Sequence, residues 1–249
     1  MHKVSSLPNA EITNAVATSN QLPLVLCGSP RAGGNSEVAA TLFAATMQEG
    51  GVPCRVEILR QHTITPCNGC GACAVAAAKG TLFTPGQGWH PLLGCPLAKN
   101  DASAPLLHAL MEAPWVCITA PIYMYHLPAL AKGFLDRLQP FWSQYLAAEA
   151  GQVLPVVCPP RPFFTILVAG RERGAELFSG SLRTLRWALK PMGFTFASGL
   201  ELRGVDGKND LASKAEINGQ VQDFARAAQA LLAGVHGENA LPAMQEIKG

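Results

Sequence analysis

Charge is what this chain has least of. Asp, Glu, Lys and Arg make up 14% of its 249 residues, against about 25% in ordinary soluble domains. A shortage of charge predicts surface buried in a subunit interface or around a cofactor. There is little imbalance of sign either: the net charge is +2, and nothing suggests electrostatic capture of nucleic acid. No run of about 18 apolar residues marks a membrane span. The opening MHKVSSLPNAEITNAVATSN lacks an apolar h-region and includes Glu11, so it does not read as a secretory signal. A cytoplasmic setting is therefore expected, in which thiols stay reduced. No internal repeat or low-complexity segment appears. What the chain does have is apolar residues, 49% of the total, enough at this length for one domain with a sizeable core.

Those residues come in short runs separated by helical patterns. A polar arm is expected over residues 1–21 and a tail over 237–249, with one domain between them at 22–236. LPLVLCG (22–28) has buried-strand character. In GNSEVAATLFAATMQEGG, Val38, Leu42, Phe43 and Met47 recur at helical spacing, and Gly50-Gly51 ends the helix. VPCRVEIL (52–59) predicts a second strand, WVCITAP (115–121) a third, FFTILVAG (163–170) a fourth and FTFASGLEL (194–202) a fifth. Between the later strands, helical patterns fall on ASAPLLHALMEA, on LPALAKGFLDRLQPFW from Pro128, and on LFSGSLRTLRWALKPMG, which closes at Gly193. Residues 211–234 predict a long amphipathic helix, and 60–100 reads as irregular. Alternation of this kind implies an α/β domain with a parallel sheet covered on both faces. Five strands fit the doubly wound, flavodoxin-like order 2-1-3-4-5, with a cysteine-containing insertion after strand 2. A ligand then sits beyond the strand C-termini, at the switch point between strands 1 and 3.

The loops at those strand ends carry the chemistry. After strand 1 comes GSPRAGGNS (28–36), opening straight into a helix. Amides at a helix N-terminus, with glycines allowing close approach, make an anion site. Ser29, Asn35 and Ser36 add short polar groups and Arg31 a cation. The spacing of Gly28 and Gly33 matches a P-loop, but Gly34 and Asn35 stand where Lys and Ser or Thr are required. Phosphate binding survives that mismatch and nucleotide triphosphate hydrolysis does not. The alternative is a plain turn with Ser and Asn as helix caps. After strand 3, APIYMYHLP holds two of the three tyrosines, Tyr123 and Tyr125, with Met124 and His126. A flat aromatic ligand would explain such bulk; a packing cluster or subunit contact is the alternative. No proton transfer is assigned to His126. After strand 4, AGRERG (169–174) is either small enough to admit a ring edge or a solvated turn.

CNGCGAC places Cys67, Cys70 and Cys73 two residues apart. In a reducing compartment this spacing serves a metal or redox role rather than a disulfide framework. Thiolates suit iron–sulfur units and also zinc, and free or redox thiols remain a further reading. GCGACA satisfies G-x-G-x-x-A, but a dinucleotide fingerprint must follow strand 1 and open its helix. Cys27, Cys54 and Cys117 fall on predicted strands and read as buried apolar residues.

Taken together, GSPRAGGNS, CNGCGAC and APIYMYHLPALAKGFLDR resemble the NADPH-dependent FMN reductase-like flavoproteins, and within them the iron–sulfur flavoprotein branch. The resemblance covers residues 22–200. It implies noncovalent FMN, with Ser29, Arg31, Asn35 and Ser36 on the phosphate, Pro121, Ile122, Tyr123, Met124, Tyr125 and His126 along the isoalloxazine, and Ala169 and Gly170 closing the third side. Asp136-Arg137 matches the family's helix ending. The branch carries a [4Fe–4S] cluster on three cysteines spaced by two and a fourth shortly after. Here the interval after Cys73 is 21 residues, residues 74–94, before Cys95-Pro96. Cys67, Cys70, Cys73 and Cys95 are thus the expected ligands, with 74–94 an insertion that Trp89 and Leu93 pack down as a cover. The resemblance also implies an FMN-dependent oxidoreductase that transfers electrons and assembles as a homodimer or homotetramer. Its donor would be NAD(P)H or a small redox protein such as ferredoxin, and its acceptor a small molecule. A clusterless NAD(P)H-dependent FMN or quinone reductase and a flavin-binding redox sensor are the rival readings.

Overall fold

The computed structural model describes residues 21–156 and 158–235. The expected arm, Gln21 apart, and the expected tail lie outside the described residues. Strand β1 (Leu24–Cys27) leads into helix α1 (Asn35–Glu49), and β2 (Arg55–Ile58) follows. The cysteine segment holds helix α2 (Ala72–Ala78) and a small hairpin of β3 (Phe83–Thr84) and β4 (Gly88–Trp89). Then come α3 (Ser103–Glu112), β5 (Val116–Pro121), α4 (Ala129–Leu135) and α5 (Gln139–Glu149). The chain continues through β6 (Arg161–Val168), α6 (Ser179–Leu189), β7 (Phe194–Leu202), α7 (Asp210–Ser213) and α8 (Ala215–Val235).

The sheet runs β2-β1-β5-β6-β7, every pair parallel. Counting sheet strands alone, this is the expected flavodoxin-like order 2-1-3-4-5. Successive strand residues point to opposite faces, so the three central strands, β1, β5 and β6, feed two cores. Leu24, Leu26, Ile118, Phe163 and Leu167 pack under α3, α4 and α6 through Leu107, Phe134 and Leu185. Val25, Cys27, Cys117, Phe164 and Ile166 pack under α1 and α8 through Phe43, Met47, Val221 and Ala225. Cys27 and Cys117 are fully buried, as the strand reading requires, and burial pushes both thiols up. Cys54 instead precedes β2, because Pro53 has no N–H to give a ladder. It is half-buried, and burial pushes its thiol up to about 12.

Two helices break where continuous ones are expected. The pattern from Pro128 divides into α4, a 3-10 turn at Asp136–Leu138 and α5, which carries Pro140 in its first turn; proline is accepted at a helix start but not inside one. Likewise, Lys214 is extended (ψ 102°) and separates α7 from α8. Residues 60–100 are also more ordered than irregular. The run AVAAAK favours α2, and the hairpin behind it is docked by Trp89, whose ring lies 4.7 Å from that of Phe141 on α5. Leu82 and Leu93 are fully buried. The insertion is therefore a packed lobe against α5.

Gly94 is the tightest point of that lobe. Its φ of +62° is left-handed, and a Cβ there would stand 2.7 Å from Leu82 Cδ2 and 2.9 Å from Ala76 Cβ. Gly94→Ala should destabilise the lobe by about 1–3 kcal/mol. Limited proteolysis should cleave within 74–94 faster than in the parent, with the circular dichroism of the sheet unchanged; equal cleavage rates would refute it.

Candidate functional site

Because β1, β5 and β6 are parallel neighbours, the loops after them open on one edge of the sheet. The Gly28 amide donates to Thr119 O at 2.8 Å. A Cβ at Gly28 would stand 2.8 Å from Ala131 Cβ, so only glycine lets this loop lie against α4. Gly34 is the N-cap of α1 and no side chain caps the helix. The Ser/Asn capping alternative thus gives way to backbone amides, since the first helical N–H groups have no carbonyl within the helix to meet. Ser29 is buried and its Oγ accepts from the Arg31 amide at 3.2 Å, fixing the turn. Ser36 is buried, and Thr119 Oγ1 donates to its carbonyl at 2.9 Å. Arg31 is exposed at the loop's rim.

Asn35 has a different employment. Its Nδ2 donates to Gly207 O at 2.8 Å and its Oδ1 accepts from the Leu211 amide at 3.0 Å. The side chain ties a fourth loop, 203–209, to the start of α1; its own amide remains part of the helix N-terminus. Glu37, in the first turn, accepts from the Gly33 amide at 3.0 Å, and the Arg60 guanidinium grips its carboxylate at 2.8 Å. Arg60 offsets a negative charge that would oppose an anion here.

The loop after β5 makes a tight two-residue turn. Tyr123 N–H donates to His126 O at 2.8 Å, and His126 N–H returns to Tyr123 O at 3.0 Å. Met124 (φ +51°) and Tyr125 (φ +62°) are both left-handed, the conformation of a primed hairpin turn, at about 1–2 kcal/mol for each non-glycine residue. Arg171 Nη1 donates to Tyr125 Oη at 2.8 Å, and His126 Nε2 meets Thr184 Oγ1 at 2.9 Å. Met124, 96% exposed, stands at the apex. Pro121 ends β5, and Ile122 N–H donates to Val168 O at 2.7 Å. Beyond β6, Ala169 is buried, and a Cβ at Gly170 would lie 2.8 Å from Asp206 Oδ1. The twelve residues expected to hold a flavin thus lie on three adjoining loops and at the ends of β5 and α1 that flank them. The fourth loop, through Asp206 and Gly207, is one that sequence reasoning did not find.

A second feature lies beside the sheet. Cys67, Cys70, Cys73 and Cys95 all line one cavity of about 360 Å³, together with Asp136, Arg137, Pro140 and Ser143. Gly69 (φ +69°) and Gly71 (φ +75°) give the CNGCGAC loop its left-handed bends. Ser143 Oγ donates to Cys73 Sγ at 3.6 Å and Arg137 Nη2 to Cys95 Sγ at 3.3 Å. All eight cysteines are free. Among the described residues no three His, Cys, Asp or Glu side chains gather closely enough to hold a metal ion. The four thiols surround a space rather than meet at a point. Trp89 and Leu93 do not line it; they dock the lobe on α5 and the core, and the expected cover is not formed.

Arg137, which lines this cavity, belongs to a buried ion pair. Arg137 Nη1 meets Asp101 Oδ2 at 2.5 Å, with both side chains 2% exposed or less. Asp101 also accepts from the Thr65 and Ser103 amides and the Ser103 hydroxyl. Burial alone would raise the Asp101 pKa, but these donors and Arg137 outweigh it and bring the carboxyl down to about 2.

The model of the NADPH-dependent FMN reductase family matches residues 23–156, more than half of the chain. The chain belongs to this family. It is therefore an FMN-dependent oxidoreductase. The chain is 22% identical over 200 residues to an iron–sulfur flavoprotein of Archaeoglobus fulgidus, covering 80% of this chain and 77% of that one. Its fold is similar to that of an FMN-dependent NADH-azoreductase of Bacillus anthracis in complex with FMN (TM-score 0.54, 11% identity, 86% of this chain and 99% of that one). It is also similar to the apo form of an NADH:FMN oxidoreductase (TM-score 0.52, 14% identity, 85% and 90%). Among the described residues, no helix is long and apolar enough to cross a membrane.

The depressed Asp101 pKa has a signed consequence. A carboxyl whose pKa falls on folding contributes stability above its unfolded pKa of about 3.9, and loses it as pH drops towards the folded value. The parent's urea midpoint should fall between about pH 4 and pH 2 by a step that Asp101→Asn lacks. Parallel curves for the two proteins over that window would refute the assignment.

Proposed function

We propose that this FMN-dependent oxidoreductase is an iron–sulfur flavoprotein that passes electrons between FMN and a [4Fe–4S] cluster held by Cys67, Cys70, Cys73 and Cys95. The observation that carries the reading is Cys95 lining the same cavity as the spaced triplet, although 21 residues intervene. The donor set fits the group. Four thiolates around a space suit a cluster in which each binds its own iron, whereas one tetrahedral zinc at about 2.3 Å would draw its sulfurs together. The left-handed glycines keep side chains out of that space, and the similarity to an iron–sulfur flavoprotein points the same way. A clusterless reductase is the second reading, favoured by the absence among the described residues of any group drawn in around a metal ion.

On the sheet edge, the amides of the 28–36 loop and the start of α1 hold the flavin phosphate, with Ser29 shaping the turn and Arg31 adding charge. The Tyr123–His126 turn would line the ring, and Ala169 and Gly170 would close the third side. When bound, FMN exchanges one or two electrons and so couples the one-electron cluster to two-electron chemistry. No side chain is assigned a proton transfer. NAD(P)H or a small ferredoxin-like protein is the donor and a small molecule the acceptor. Leu146, Leu154 and Trp187, each more than half exposed, support assembly into a homodimer or homotetramer.

Arg31→Ala should weaken FMN by about 1.5–3 kcal/mol and leave riboflavin unchanged in fluorescence titrations. Asn35→Ala, which releases Gly207 and Leu211, should weaken both flavins alike. An Arg31→Ala variant that loses both equally would overturn the phosphate assignment. For the cluster, Cys95→Ala should lose bound iron or keep a three-iron remnant while retaining FMN. Cys158→Ala, outside the cavity, should leave iron unchanged. Iron and sulfide analysis of anaerobically purified protein decides, and a parent without either establishes the clusterless reductase.

A further inference from the structure

Two side chains at the cysteine cavity point donors at sulfur without being ligands. Arg137 divides its guanidinium. Nη1 serves Asp101 Oδ2 at 2.5 Å and Thr65 O at 2.7 Å, while Nη2 reaches Cys95 Sγ at 3.3 Å. Ser143, on α5, directs its hydroxyl to Cys73 Sγ at 3.6 Å. Arg161, half-buried at the start of β6, is a contrast. Its guanidinium is spent on the carbonyls of Met111, Ala113 and Met192. Only a planar fork can grip a carboxylate and a thiolate at once; a lysine ammonium is a single point.

We propose that Arg137 and Ser143 are positioning residues that raise the reduction potential of the cluster, and that Asp101 counteracts Arg137. This rests on the cluster reading above. The sign follows from charge. Reduction adds an electron to a group already ringed by thiolates, so a cation or an N–H or O–H donor on a ligand sulfur favours the reduced state. Asp101, at 2.5 Å from Arg137 and shielded from water, takes back part of that effect. The two halves of one ion pair therefore act on the potential in opposite directions. A purely structural pair would not behave so, because loss of either half would disturb the lobe in the same way.

The test is a redox titration of anaerobically purified full-length protein. The cluster is followed by electron paramagnetic resonance, and the FMN transition is recorded in parallel as an internal reference. Ser143→Ala and Arg137→Gln should lower the cluster potential, and Asp101→Asn should raise it. Four irons per chain should be kept and the FMN transition should not move. Arg137→Lys, which keeps the charge but not the fork, should fall between Arg137→Gln and the parent. Should Arg137→Gln fail to fold, Ser143→Ala and Asp101→Asn still decide by their opposite signs. Unchanged potentials, or shifts in one direction for all variants, overturn this inference and leave the cluster reading standing. A parent without iron and sulfide overturns both.

Discussion

The carboxylate of Asp101 joins the two ends of the cysteine segment, and the geometry of the cavity depends on that join. Thr65, two residues before Cys67, donates its amide to Asp101, and so does Ser103 at the start of α3. Arg137 completes the knot from the far side. Taking both charges out of water is costly, by several kcal/mol for each, and the pair is tolerable only because each remaining lone pair has a donor. The benefit is positional. The chain leaves the knot at Thr65, presents three cysteines, builds a lobe, presents the fourth and returns at Asp101. The interval between Cys73 and Cys95 can therefore lengthen at little cost, since loop closure grows only with the logarithm of length.

Helix α4 connects this knot to the sheet edge. It starts just past the Tyr123–His126 turn and runs into Asp136 and Arg137. Its near end bears on Gly28, where Ala131 leaves no room for a side chain, and its middle passes Pro66, 3.9 Å from where a Cβ of Gly133 would stand. One two-turn element thus touches the loop after β1, the loop after β5 and the root of the cysteine loop. A shift of α4 would move the strand-end loops and the cysteine cavity together, which gives the two a fixed relation within the chain.

Legibility in the sequence followed the range of the interactions. The five sheet strands were readable because each is a local apolar run, and their order followed from alternation with helices. The three site loops were readable because they sit at strand ends. What was hidden is non-local. Asn35 looks like a phosphate ligand or a cap in its own segment, yet its partners are 172 and 176 residues away. Arg137 read only as part of a helix ending, since nothing local shows that its fork spans a carboxylate and a sulfur. Residues 60–100 read as irregular because cysteine and glycine spacing masked the alanine run of α2. The docking of Trp89 on Phe141 is a tertiary choice that no periodicity encodes. The loops themselves were legible, and the support beneath them is what the letters did not disclose.

The turn at Tyr123–His126 shows the reverse case, in which a local rule is broken in plain view. A two-residue primed turn is met most cheaply by Asn-Gly or Gly-Gly, and this chain places Met124 and Tyr125 there instead. Strain of this kind persists only where surrounding contacts over-determine it. Here they do: the turn is closed by its own two backbone hydrogen bonds, and Arg171 and Thr184 hold the side chains on either flank. Glycine would satisfy the backbone with less strain but would present no surface. Since the conformation is available more cheaply without side chains, it is the side chains that the sequence retains. They stand on the loop proposed to lie along the flavin ring, where they would supply its wall.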